Sequence, residues 1–254
     1  MDSKEASKRM KTALLLGGMT PDVTALYYNI INKAVRARMG NRTAAPLYIY
    51  SANLEDMIQH AMNGDWAAFT EVYADPIKVL SERVDGVAVC AILAHKVASE
   101  LSDVLATSNV PLLHIADFLA AYITKTHPSI KRLGLLGPKI SMLDSENPDF
   151  FIGRLQQARY GYKVMIPETA EEIDEVNRGM LEEVAKGVDC VTETTRAMFI
   201  NHASKLVSRG AQAIILGSTD LGFVIKQEEL GDIPLIEPAA IHAEELARWI
   251  CGEG

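Results

Sequence analysis

Eight short runs of aliphatic and β-branched residues recur along the chain: TALLLGG, PLYIYS, GVAVCA, VPLLHIA, RLGLLG, KVMIP, AIILGS and IPLIEP, with helical stretches between them. Each run is apolar nearly throughout, not at every second position. A strand with one wet face alternates; a strand covered on both faces does not, and double coverage marks a parallel sheet with helices above and below. The pattern specifies an α/β fold.

Helix boundaries agree. In GGMTPDVTALYYNIINKAVRA, Thr20 suits an N-cap, Pro21 the first helical position and Asp22 the positive helix end, predicting a helix from about Pro21 to Arg38. The segment 168–186 has acids in its first turns and Lys186-Gly187 at its end, a second helix, and Asp117 is placed to cap a third over 118–126. A faint echo runs through the chain: TALLLGGMT then VAVCAILAH, and LGLLGPKIS then AIILGSTD. Each half is about one lobe's worth of chain, which predicts two similar lobes facing each other.

In open parallel sheets the ligand crevice lies outside the carboxyl ends of the strands. The polar residues there are Thr20, Ser51, Asn53, His95, His114 and Asp117 in the first half, and Lys139, Ser141, Ser218, Thr219, Asp220, Glu237 and His242 in the second. Small polar residues after strands are also ordinary turn formers and caps. As a set they suit a small carboxylate.

Charge and cysteine usage narrow the partners. A net charge of −8 with no basic run opposes nucleic acid and anionic membranes. Cys90, Cys190 and Cys251 lie far apart without CxxC spacing, so the sequence predicts neither a disulfide framework nor a zinc site, and a reducing, cytoplasmic setting. The opening MDSKEASKRM lacks the apolar core of a secretory signal, and no apolar run approaches bilayer length. GGMTPD is not a dinucleotide-binding GxGxxG, no GKS or GKT occurs, and the histidines lack metal-site spacing. No cofactor and no metal are expected.

Several stretches together resemble one family. GGM (17–19, ending in Met19), Tyr27-Tyr28, SANLEDM, GDW, AILAHK, LHIAD, GLLG, ILGSTD and IHAEEL run in order from Lys11 to about Trp249 as in the cofactor-independent aspartate/glutamate racemase superfamily. The resemblance implies two Rossmann-like (flavodoxin-like) lobes across a cleft, divided as 1–117 plus 231–254 and 118–230, and a homodimer. It also implies a substrate carboxylate held by strand-end groups, and two thiols, one per lobe, exchanging a proton on opposite faces of an α-carbon.

Both thiols are missing from the matching positions. The first-lobe motif, typically Cys-Asn-Thr-x-His, reads Ala91, Ile92, Leu93, Ala94, His95; the second, typically Leu-Gly-Cys-Thr-Glu, reads Leu216, Gly217, Ser218, Thr219, Asp220. Cys90 falls one place early. Adjacent strand residues point to opposite faces, so Cys90 is expected in the packing unless a bulge turns it into the cleft.

Three functions follow. One is an enzyme of altered chemistry on a small carboxylate- or carbonyl-bearing compound (isomerisation, epimerisation, cyclisation or decarboxylation), with His95 titrating, Ser218 and Thr219 donating hydrogen bonds, Asp220 partnering Ser218, and Lys139 anchoring a carboxylate. A second is a conventional aspartate/glutamate racemase in which Cys90 or Cys190 serves. The third is a binding or partner protein without turnover.

Overall fold

A computed structural model describes residues 9–253; most of the polar leader read above, 1–8, lies outside the described residues. The first sheet is parallel, in the order β2-β1-β3, from β1 (Ala13–Gly17), β2 (Leu47–Ser51) and β3 (Gly86–Val89). The second, also parallel, has the order β5-β4-β6-β7, from β4 (Arg132–Leu136), β5 (Lys163–Met165), β6 (Ala213–Leu216) and β7 (Leu235–Ile236). β1, β3 and β6 are buried along their length, and so is β4 apart from exposed Arg132, as continuous apolar runs require.

Two expected strands depart from this. PLYIYS forms β2, but at the sheet edge Tyr48 and Ile49 remain about 40% open to solvent (39% and 42%). VPLLHIA makes only one bridge, Leu112 beside Val87. Pro111 has no amide hydrogen to extend the ladder, and His114 already caps α5 (Ile115–Thr126) by accepting a hydrogen bond from the Ala116 amide. Asp117 therefore lies inside that helix's first turn rather than capping it.

α1 (Pro21–Met39) starts where expected, and the 168–186 segment becomes α8 (Ala170–Glu182) followed by a 3-10 turn. The chain's return to the first lobe comes later than residue 231. β7 pairs with β6 in the second sheet, and only α11 (Pro238–Ile250) comes back, packing its Ala243, Leu246 and Ile250 with Tyr27 and Ile31 of α1. α5 contributes Ile115, Leu119 and Ile123 to the second-lobe core, so residue 117 falls within a shared element.

Glycines let the strand tips approach closely. A Cβ on Gly137, after β4, would lie 2.7 Å from the Gly217 backbone after β6, and one on Gly18 (φ 99°) would lie 2.3 Å from the Ala52 carbonyl oxygen. These contacts draw neighbouring tips together within each sheet.

Candidate active site

A cavity of about 830 Å³ lies between the lobes. From the first lobe it is lined by Met19 and Thr20 after β1 and by Ala91, Ile92 and Leu93 after β3. From the second come Lys139 and Ser141 of α6 (Lys139–Leu143), and Gly217, Ser218, Thr219 and Asp220 after β6. Most of the residues expected at the site thus meet here.

The strongest polar feature bridges the lobes. Thr20 Oγ1 donates to Asp220 Oδ1 at 2.6 Å, and Ser218 Oγ donates to Asp220 Oδ2 at 3.2 Å. Thr20 occupies the N-cap position of α1, yet its side chain makes no capping hydrogen bond and is turned to Asp220 instead. Burial raises the Asp220 pKa above the usual carboxylate range and the nearby Asp22 adds to this, while the two hydroxyls partly offset it by stabilising the charged form. Such a group can change protonation during a reaction.

The other charged groups in the wall are already paired. Lys96, also lining the cavity, forms an ion pair with Asp144 across the lobes and lies over the Trp66 ring at 5.3 Å. Lys139 Nζ pairs with Asp174 at 2.6 Å, both side chains being exposed to solvent. Among the described residues lining the cavity, Asp220 is the titratable group without a cationic partner. Ser141 lines the wall fully buried, and its hydroxyl has no partner in the protein.

Five expected site residues lie elsewhere. His95 is fully buried behind the wall, with both ring nitrogens engaged: Nδ1 donates to the Ala91 carbonyl at 2.8 Å and Nε2 accepts from the Ile115 amide at 3.2 Å. Burial lowers its pKa to about 4, so it is neutral and oriented rather than poised to titrate. His242 is likewise buried, hydrogen-bonded to Tyr27 and the Leu113 carbonyl, with its pKa lowered to about 3 by burial and by His95. Asn53 accepts the Glu55 amide as the N-cap of α2 (Leu54–Met62), and Ser51 ends the exposed edge strand.

Cys90 packs with Leu15, Tyr27 and Ala88 in the first-lobe core, and burial pushes its thiol pKa far up. Strand alternation gives this outcome, with Ala91 taking the cavity side. Cys190 is exposed, and Cys251 follows α11. No thiol of the described residues lines the cavity.

Sequence reading missed the apolar end. Leu54, Ile58, Ala61 and Met62 of α2, Trp66 at the start of α3 (Trp66–Leu80), and Met180 and Leu181 of α8 all line the cavity. The spacing 54, 58, 61, 62 was legible as one helix face, but an apolar stripe reads as core until a neighbour is known to be absent.

Among the described residues no group of three or more His, Cys, Asp or Glu side chains could hold a metal ion, and no helix is long and apolar enough to cross a membrane. Residues 16–246 match the family model for Asp/Glu/Hydantoin racemase. The fold superposes on a candidate Asp/Glu racemase from Yersinia pestis (30% identity, TM-score 0.82, 95% of this chain and 99% of that one). It also superposes on an aspartate racemase homologue from Pyrococcus horikoshii OT3 (26%, 0.71, 95% and 99%). An aspartate racemase from Picrophilus torridus shares the fold at 19% identity (0.72, 95% and 94%).

Proposed function

The chain belongs to the Asp/Glu/Hydantoin racemase family, and on that footing we propose that it moves a proton on one face only of a small carboxylate- or carbonyl-bearing substrate, without a two-thiol exchange. The observation that carries this reading is the isolation of Asp220. It is the unpaired titratable group of the wall, while Ala91, Ile92 and Leu93 offer no proton carrier from the first lobe. Inverting a stereocentre needs an acid and a base on opposite faces; enolisation, isomerisation or decarboxylation needs one.

In this reading Asp220 takes the proton from the carbon next to the substrate's carbonyl or carboxylate. Thr20 and Ser218, each donating to one of its oxygens, fix the carboxylate's plane. Electron density that moves onto the substrate oxygen is met by hydroxyl donors, for which Thr219 and the unpartnered Ser141 are placed in the wall. His95 acts at one remove as a positioning residue: it ties the Ala91 carbonyl to the Ile115 amide and so holds the first-lobe wall. Ser218 takes no base role, since its hydroxyl donates to a carboxylate.

The reading includes a homodimer in a reducing compartment, supported by exposed Tyr28, Tyr48 and Ile49 and by three unpaired cysteines.

The test is α-proton exchange in D₂O followed by proton NMR, with aspartate and 2-substituted succinates as probes. Asp220→Asn is expected to lower the exchange rate by roughly 10²- to 10⁴-fold, the range for loss of a general base. Because the folded pKa of Asp220 is raised, its contribution to stability is present at low pH and lost as pH rises, so the variant should be no less stable than the parent at pH 7. Exchange undiminished in Asp220→Asn refutes the assignment.

A further inference from the structure

We infer that the substrate carries a bulky apolar substituent, aryl or branched alkyl, seated against α2 and Trp66 while its reacting carbon faces Asp220. The inference rests on the proposed function only for which end of the cavity holds the reacting carbon. Three observations carry it.

The first is size. At water's share of about 30 Å³ per non-hydrogen atom, a dicarboxylate as small as aspartate fills less than about 300 Å³. The cavity is about 830 Å³. An aspartate-sized ligand would leave most of it filled with water against apolar walls.

The second is the segregation of its lining. Hydroxyls and the Asp220 carboxyl gather at the β6 tip, with Thr20 and Ser141. Leu54, Ile58, Ala61 and Met62 recur at helical spacing along the face of α2, and Trp66 follows at the start of α3, where the charged lining residues Lys96 and Asp144 are paired with each other beside its ring. A ligand matching this cavity is amphipathic, polar at one end and apolar at the other.

The third is exposure. Met62 is 70% exposed, Leu143 49% and Leu181 45%, and all three line this same cavity. Met57 of α2, by contrast, is fully buried in the lobe's core, so the helix divides its apolar residues between core and cavity. Large apolar side chains left open on opposite lobes around one hollow mark a binding surface rather than leftover core.

The experiment is calorimetric titration of the full chain with succinate and with phenylsuccinate. Burying a phenyl ring contributes on the order of a tenfold to hundredfold gain in affinity, so phenylsuccinate should bind tighter by that ratio. Ile58→Ser should lower phenylsuccinate affinity roughly tenfold while leaving succinate binding unchanged, and the unchanged succinate signal shows that the variant is folded. Equal affinity for the two ligands, or a phenylsuccinate affinity indifferent to Ile58→Ser, overturns the inference. So does self-association of the parent chain that Met62→Ser abolishes, since a second copy would then cover the apolar end.

This outcome separates from that of the proposed function. Tight phenylsuccinate binding without α-proton exchange leaves the substituent pocket standing and removes the one-face reaction. Exchange on aspartate with no preference for an apolar substituent does the reverse.

Discussion

The two walls of the cavity are built from equivalent places in two similar lobes, yet their chemistry differs. The tip of β6 presents Ser218, Thr219 and Asp220; the tip of β3 presents Ala91, Ile92 and Leu93. The second-lobe tip keeps hydroxyls and a carboxyl in position by hydrogen bonds. The first-lobe tip has become part of the packing: Ile92 is 1% exposed and belongs to the same apolar cluster as Leu119, Leu136 and Leu216 of the other lobe. The difference teaches that the fold constrains where a tip points, while the tip residues decide whether it reacts or glues the lobes together.

Behind the apolar wall lies a neutral histidine cluster. His95 and His114 have ring centroids 4.2 Å apart, and His95 and His242 6.5 Å. Burial lowers the pKa of each, so their folded pKa values lie below the unfolded 6.5. The associated stability is present above pH 6.5 and lost as pH falls toward about 4 for His95 and about 3 for His242. Acid should therefore weaken the first-lobe wall through these histidines, at a cost on the order of several kcal/mol, whereas protonating Asp220, whose folded pKa is raised, does not destabilise the β6 tip. Chemical denaturation from pH 7 to 4 should show this loss, with a shallower slope in His242→Gln. An unchanged slope would mean that the cluster already carries charge in the fold.

A smaller effect probes the polar wall. Thr20 stabilises the charged form of Asp220, so Thr20→Val should raise the Asp220 pKa further. The acid limb of the exchange-rate profile then moves to higher pH, and the rate below that limb falls by roughly tenfold per unit moved. An unmoved limb would separate Asp220 from the reacting proton.

The smallest effect is expected at the thiol. Cys90→Ala removes a buried sulfur from the first-lobe core and should cost about 1 kcal/mol of stability in denaturant unfolding, with exchange rates unchanged. Lost exchange in a folded Cys90→Ala would bring back the conventional racemase.

Legibility in the sequence followed the range of the interactions. Continuous apolar runs gave the parallel strands because burial on both faces is a local demand, and Thr20-Pro21 marked the start of α1. Alternation places Cys90 and Ala91 on opposite faces, and the structure has Cys90 in the core and Ala91 on the cavity. What escaped depended on distant partners. His95 looked like a titrating group until the Ile115 amide, twenty residues on, occupied its second nitrogen. Thr20 looked like a cap until Asp220, two hundred residues away, took its hydroxyl. That Leu54, Ile58 and Met62 line the cavity is not legible locally, because an apolar helix face does not tell whether another element covers it.

The most direct test of the one-sided wall is stereochemical. A single enantiomer of a 2-substituted succinate incubated in D₂O with the protein should gain deuterium at the α-carbon and keep its configuration, the label returning to the face from which the proton left. Deuterium accompanied by inversion would require a second proton carrier on the first-lobe side and would contradict the account.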